Sequence, residues 1–403
     1  MRHIAIIGSG PSGCYLADAL LRLVPDCRID VLDRLPVPFG LVRYGVAPDH
    51  QGTKAVSRVF DRTLARDRIG FFGHVEVGRD VSLARLEALY DAVVIASGAA
   101  DDRRLGVPGE DLPGVIGAGC FVGWVNGHPD HIDLAPAAAR SVVVIGNGNV
   151  ALDVARLLAK TPEEFAGSDL GTFVQSPPTD IHIAGRRGPD QAKFTDHELE
   201  ELATLQRARP IVVDPSVLAS DTPRNRILHG FQGLPAKQVS IQFHFGLTPD
   251  AILGSARVEA VRFRDAVGET QVLAADLVVT CVGYQARACC AQMPTDGLFA
   301  NDGGHIRDRL YTVGWAKRGP SGTIPTNRIE AQAVAQRIAA ALPDGGKPGG
   351  AGLRALLDRQ AARWVDYAGW RRIEAHEAAS ADPGRCRRKL TAIGRMLAAA
   401  GGN

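Results

Sequence analysis

The sequence predicts an α/β protein with two parallel-sheet nucleotide-binding domains. Three observations predict it. A short apolar strand runs straight into a glycine turn and a helix twice, once near residue 3 and again near residue 141. Each copy is followed by a second strand at the right distance for a strand–helix–strand unit. The chain of 403 residues is long enough for two or three cores.

The first copy begins with the apolar run His3-Ile4-Ala5-Ile6-Ile7, closed at once by Gly8-Ser9-Gly10-Pro11-Ser12-Gly13. A helical pattern follows through Leu16, Ala17, Leu20, Leu21 and Val24, and a second strand, Arg28 to Leu32, ends at Asp33. This order is the Rossmann-type dinucleotide fingerprint. Gly8 makes the tight turn, Gly10 lets backbone approach a pyrophosphate, and Gly13 lets helix pack on strand. The helix start offers unpaired N–H groups and partial positive charge to phosphates. Asp33 is placed to accept hydrogen bonds from ribose hydroxyls.

The second copy is Ser141 to Ile145, then Gly146-Asn147-Gly148-Asn149-Val150-Ala151 and a helix through Leu152, Val154, Ala155, Leu157 and Leu158. Ala151 stands where a third glycine is usual. The next strand, Asp180 to Ala184, ends in Gly185-Arg186-Arg187-Gly188. A guanidinium fork matches a phosphate, whereas a carboxylate would repel one. The second site should therefore prefer NADP over NAD. Two fingerprints imply two nucleotides, with FAD on the first and NADP(H) on the second; the arginine pair does most to settle that order.

Further strands are expected at Asp91–Ser97 and Asp276–Thr280, each ending near a glycine. They read as the two crossings between domains. The Gly/Pro-rich run from Leu105 to Gly114 reads as a linker. Alternation around Lys237–Phe245 and Val258–Asp265 suggests an antiparallel element. The layout expected is an FAD domain over 1–103 and 284–403, with an NADP domain over 104–283 inserted.

Composition narrows the function classes. A net charge of +2 argues against a nucleic-acid-coating surface. The seven cysteines include no C-x-x-C pair, so neither zinc, an iron–sulfur cluster nor a redox dithiol is expected, and no metal site is expected. The vicinal Cys289–Cys290 reads as plain reduced thiols. No apolar run reaches membrane-spanning length. With a strand at about residue 3, no signal or transit peptide is expected and the chain reads as cytoplasmic.

One long segment carries a resemblance: Pro36-Val37-Pro38-Phe39-Gly40-Leu41-Val42-Arg43-Tyr44-Gly45-Val46-Ala47-Pro48-Asp49-His50. With it go Gly146 to Arg156, Gly185-Arg186-Arg187-Gly188-Pro189, and Gly314-Trp315-Ala316-Lys317-Arg318-Gly319-Pro320-Ser321-Gly322. On these motifs the chain resembles the adrenodoxin reductase family, the glutathione-reductase-like branch of ferredoxin–NADP(+) reductases, almost end to end, through Tyr367-Ala368-Gly369-Trp370.

The resemblance implies FAD contacts at Gly8, Gly10, Pro11, Ser12, Gly13, Asp33, Leu41 and Val77. It places Trp315 by the flavin, with the backbone N–H groups of Gly322, Thr323 and Ile324 facing it at the start of a helix from about Ile324 to Leu342. It implies NADP contacts at Asn147, Gly148, Asn149, Val150, Arg186, Arg187, Glu198 and Gly322. The polar pair near nicotinamide and flavin, the candidate catalytic residues, corresponds to His50 and Asp153. Hydride transfer needs no acid or base, so these two would tune electrostatics or position the ring.

The implied partner is an acidic ferredoxin, one that could feed a haem-thiolate monooxygenase. Arg224 and Arg226 would belong to its docking surface, with Lys193 and Arg43 flanking. Two departures stand out. Asp33 replaces the usual Glu and is one methylene shorter. Pro325 replaces a small residue, in a first helical turn where proline is tolerated. Three alternatives stay open: an NADPH-dependent monooxygenase or diaphorase using oxygen or a quinone; a non-catalytic nucleotide-binding redox sensor; and the same chemistry run from reduced ferredoxin to NADP(+).

Overall fold

Residues 1–134, 139–172, 176–286 and 298–401 are described by the computed structural model; Cys289 and Cys290 lie outside them. From the N-terminus come β1 (Arg2–Ile7), α1 (Pro11–Leu23), β2 (Cys27–Asp33), α2 (Gly40–Tyr44), α3 (Gln51–Lys54), α4 (Ser57–Leu64), β3 (Ile69–Gly73), α5 (Leu83–Leu89), β4 (Ala92–Ile95) and the two-residue β5 (Asp101–Asp102). Next are β6 (Val115–Gly117), α6 (Ala118–Val125), β7 (Ser141–Ile145), α7 (Asn149–Ala159), β8 (Asp180–Gly185), α8 (Asp196–Ala203), β9 (Ala208–Val212), α9 (Pro223–Gln232), β10 (Val239–Phe245), β11 (Thr248–Leu253), β12 (Ala260–Arg264), β13 (Thr270–Ala274) and β14 (Leu277–Thr280). The chain ends with β15 (Tyr284–Gln285), β16 (His305–Arg307), β17 (Leu310–Thr312), α10 (Trp315–Arg318), α11 (Ile324–Ala341), α12 (Gly349–Arg359), α13 (Tyr367–Ala379) and α14 (Ile393–Ala399).

The chain divides into two units, Met1–Asp101 with Tyr284–Asn403, and Asp102–Gly283. The first crossing falls just before Asp102 rather than after residue 103. Asp102 is held by the second unit, where its carboxylate accepts from the N–H groups of Gly119 (2.7 Å) and Cys120 (3.0 Å) at the start of α6.

The first unit is built on a sheet of order β16-β17-β4-β1-β2-β3. β1 pairs in parallel with β2 and β4, and β16 is antiparallel to β17. Ile4 to Ile7 are all buried, because helices cover both faces of a parallel sheet and leave no polar side. On one face α1 and α11 bury Leu16, Ala17 and Leu20 with Ala331, Val334 and Ile338. On the other, α5 and α12 bury Leu83, Leu86, Leu353 and Leu357.

The second unit has a parallel sheet of order β6-β14-β7-β8-β10-β9 and an antiparallel sheet β11-β12-β13. Two expectations are corrected here. The alternating segment at 237–245 is not antiparallel: β10 pairs in parallel with β8 and β9. Its alternation arises from its place next to an edge strand, where one face is less deeply covered. The Gly/Pro-rich run 105–114 is not an interdomain linker. It folds onto the second unit, with Ile252 N–H donating to the Pro108 carbonyl (2.8 Å) and Val258 N–H to that of Pro113 (2.9 Å).

In the first unit a buried ion pair joins α2 to α13. Arg43 donates to Glu377 at 2.5 Å, with side chains 4% and 0% exposed. Arg43 also lies over the rings of Tyr44 and Trp370. Burial opposes its charge, but the carboxylate of Glu377 beside it outweighs that and holds the guanidinium protonated. The expectation from sequence that Arg43 flanks a docking cleft is therefore corrected: it is a core residue. Breaking such a pair on one side leaves an uncompensated buried charge, worth about 3–5 kcal/mol. Glu377→Ala should lower the unfolding free energy by about that amount in urea titration, and a loss below about 1 kcal/mol would contradict the assignment.

Candidate functional site

In the first unit the three glycines divide into two kinds. Gly8 turns the chain at φ +113°, and a Cβ there would lie 2.4 Å from the Ala96 carbonyl oxygen. A Cβ on Gly13 would lie 2.1 Å from the Gly8 carbonyl oxygen. Backbone packs on backbone at both. A Cβ on Gly10 would meet nothing within 4 Å, so this position faces open space. Gly10 is also the N-cap of α1, with no side chain capping the helix and Pro11 in its first turn. An open position above uncapped N–H groups fits a pyrophosphate.

Asp33 ends β2 beside this turn. Its Oδ2 accepts from Ser9 N–H (3.1 Å) and, in a short bond, from the Ser9 hydroxyl; its Oδ1 accepts from Leu35 N–H (3.0 Å). Burial raises its pKa while the Ser9 donors pull the other way. The short Asp side chain thus braces the glycine turn itself. Ser9 is fully buried, and both its carbonyl (3.2 Å) and its hydroxyl (3.3 Å) take the N–H of Phe39. That contact holds Phe39 at φ +85°, a conformation costly for a side chain of this size. Gly40 follows, and a Cβ on it would lie 3.2 Å from Gly10 Cα. The Val-Pro-Phe-Gly-Leu segment therefore lies against the first turn. Leu41 is 37% exposed there, while Val77 is buried in the core. His50 immediately precedes α3.

The Gly314–Gly322 turn belongs to the same place. A Cβ on Gly314 would lie 2.0 Å from the Ser12 hydroxyl oxygen. Trp315 is half-buried, stacks on Tyr284 at 5.8 Å between centroids, and donates from Nε1 to the Ser321 carbonyl at 3.0 Å. The expected N–H groups at the start of α11 need one correction. Thr323 N–H points to the Thr326 hydroxyl at 3.1 Å, because Thr326 completes a reciprocal cap with Thr323. Gly322 lies at φ +79°, Ile324 opens α11, and Pro325 occupies the first helical turn.

The second unit repeats the first turn's logic. Gly146 lies at φ +141°, where a Cβ would sit 2.3 Å from the Cys281 carbonyl oxygen. Gly148 faces open space and is the N-cap of α7 without a side-chain cap. Ala151 is fully buried. The loop after β8 is laced to this turn. Lys193 N–H donates to the Asn147 carbonyl (2.7 Å), and Thr195 N–H to the Asn149 side chain (2.8 Å). Val150 lies in the first turn of α7, and Thr195 caps α8 through Glu198 N–H at 3.4 Å. Arg186 and Arg187 are exposed at the end of β8. Asp153, one turn into α7, bonds the buried guanidinium of Arg156.

Arg224 has a task inside its own unit. Its guanidinium donates to the carbonyls of Ala192 (2.8 Å), Phe194 (2.9 Å) and Pro189 (3.3 Å), pairs with Asp196 at 3.2 Å, and lies over the Phe194 ring. These four bonds tie Arg224 to the loop after β8 and to the first residue of α8. Arg226 is more exposed and pairs with Asp221 at 2.6 Å. Sequence reasoning missed Ser9 and Thr195 as organisers. Of these, the Thr195-x-x-Glu198 capping pattern was legible.

Known proteins resemble this chain over nearly its whole length. The model of the pyridine nucleotide-disulphide oxidoreductase family matches residues 2–166. Cindoxin reductase of Citrobacter braakii is 38% identical over 98% of this chain and 90% of its own. Human mitochondrial NADPH:adrenodoxin oxidoreductase is 37% identical over 98% and 91%. The structure of Mycobacterium tuberculosis FprA in complex with NADPH superposes with a TM-score of 0.93 at 36% identity, covering 100% of both chains.

The two kinds of glycine should separate in experiment. Gly10→Val should leave the thermal midpoint of the nucleotide-free protein near wild type and weaken dinucleotide binding at least about tenfold, roughly 1.4 kcal/mol. Gly8→Ala should instead lower the midpoint. Equal behaviour of the two in melting and in equilibrium dialysis would contradict the division.

Proposed function

We propose that this chain, which belongs to the adrenodoxin reductase-like family of ferredoxin–NADP(+) reductases, carries electrons from NADPH through FAD to a ferredoxin-type iron–sulfur protein. The observation that carries the reading is the contrast between the two strand ends. The first fingerprint ends in the acid Asp33, and the second in the exposed Arg186-Arg187. An unshielded guanidinium pair selects a nucleotide with a 2′-phosphate.

Bound FAD supplies the means to accept a hydride pair and release electrons singly, which joins a two-electron donor to one-electron acceptors. The chain's own residues bind and orient. In the first unit, the open face at Gly10 and the N–H groups of Ser12 and Gly13 would take the pyrophosphate, with the Ser12 side chain beside it. Leu41, Val77 and Trp315 would line the flavin, and the start of α11 would turn partial positive charge toward it. In the second unit, Asn147 to Val150 would hold the NADP pyrophosphate, Arg186 and Arg187 the 2′-phosphate, and Glu198 the loop above it. His50 and Asp153 would orient the nicotinamide and set local charge, since hydride transfer moves no separate proton.

The acceptor is proposed from the family. An acidic iron–sulfur protein would be drawn by exposed basic groups such as Arg226 and Lys193, whereas Arg224 acts on the loop it ties. Electrons would pass on from there, for instance to a haem-thiolate monooxygenase. No helix among the described residues is long and apolar enough to cross a membrane; a cytoplasmic setting is part of the proposal.

The test is NADPH-driven cytochrome c reduction by the flavin-loaded protein, with and without a [2Fe–2S] ferredoxin. Ferredoxin should stimulate the rate, and rising salt should weaken that stimulation. Flavin reduction by NADPH with no effect of ferredoxin would point to another acceptor. The Arg186→Ala/Arg187→Ala double variant should raise KM for NADPH by about 10–100-fold, the scale of one lost charge-assisted contact, and leave KM for NADH nearly unchanged. Equal losses with both nucleotides would remove the 2′-phosphate role.

A further inference from the structure

A partly buried charge cluster sits at the start of α11 in the first unit. Glu330, on the second turn of α11, is 11% exposed. Its Oε2 accepts the N–H of Gly314 at 2.9 Å and a short bond from Arg318, and its Oε1 pairs with Lys317 Nζ at 3.0 Å. Arg318 reaches the other end of the same turn. Its Nε (3.0 Å) and a terminal nitrogen (2.8 Å) donate to the Ser321 carbonyl, and the latter also to Asn327 Oδ1 at 2.8 Å. The Ser321 carbonyl is the one that Trp315 Nε1 donates to.

The turn needs such a clamp. Gly314 (φ +72°), Gly319 (φ +80°) and Gly322 (φ +79°) all lie in the left-handed region. Three glycines in nine residues make the free segment entropically loose. Carboxylate and guanidinium together fix its beginning, its end and the Trp315 indole.

We propose that Glu330 is a positioning residue for the Gly314–Gly322 turn and sets the local charge where that turn meets the flavin. The inference rests on the FAD reading. Glu330 holds Gly314 N–H directly and the Ser321 carbonyl through Arg318, so Trp315 and Gly322 stay fixed. It also balances two cations, Lys317 and Arg318. Without its charge, their field would favour the more negative, reduced form of a nearby cofactor.

The experiment uses the FAD-loaded protein and two variants. Glu330→Gln should release FAD about tenfold faster, read by the rise of free-flavin fluorescence on dilution. Its midpoint potential, measured by equilibration with reference dyes, should rise by a tenfold change in relative affinity for reduced and oxidised flavin, about 30 mV for two electrons. Glu330→Asp should recover part of both. Arg318→Lys keeps the charge but loses the fork on Ser321, so it should speed FAD release with little change in potential. A Glu330→Gln protein with wild-type release and wild-type potential overturns the proposal, whatever its melting temperature. If that variant does not fold, wild-type FAD release in Arg318→Lys overturns it. A wild-type chain that takes up no FAD defeats the functional reading instead, which keeps the two failures apart.

Discussion

Contact of backbone with backbone at the end of one strand in each unit governs what else can be built there. At Gly8 the neighbour is the Ala96 carbonyl, and at Gly146 it is the Cys281 carbonyl, each too near for any side chain. This closeness lets a helix start directly at the strand's end, so its uncapped N–H groups open onto the same space. The second glycine of each turn, Gly10 or Gly148, has nothing in front of it. An open turn lined by unpaired N–H groups is thus a by-product of how tightly strand and helix are joined. The third position is less strict: Gly13 abuts the Gly8 carbonyl, while α7 buries the methyl of Ala151.

Around the first turn, side chains act mainly to hold other parts of the chain. Ser9 bonds Asp33 and Phe39, and so couples the end of β2 to the Phe39-Gly40 segment. Behind that segment, Arg43 and Glu377 tie it to α13. The Gly314 turn comes in against Ser12 and is held by Glu330. Each tie fixes a loop that would otherwise be mobile, because its glycines and left-handed residues give it little local preference of its own.

Arginine shows how burial assigns a task to one residue type. Arg186 and Arg187 end a strand in solvent and are available to a phosphate. Arg43 is closed in the core with one carboxylate and two aromatic rings. Arg224 is enclosed by three carbonyls of the loop it supports. The same guanidinium fork, always charged, thus stands open to solvent in one place and sets loop geometry in another.

The sequence by itself determined the parallel α/β architecture, both glycine turns, the acid and arginine strand ends and the family. These follow from patterns local in the chain: continuous apolar runs, glycine spacing, and one residue at a strand's end. Tertiary structure alone decided which unit Asp102 joins, that β10 is a parallel strand, and that the run 105–114 folds onto its own unit. It also decided that Asp33 braces Ser9, that Thr326 takes the Thr323 N–H, and that Arg43 and Arg224 face inward. Those outcomes depend on partners far away in sequence, such as Glu377 for Arg43 and the 189–194 carbonyls for Arg224. A charged side chain reads alike in solvent and in a core until its partner is known, because its desolvation is tolerated only where that partner stands.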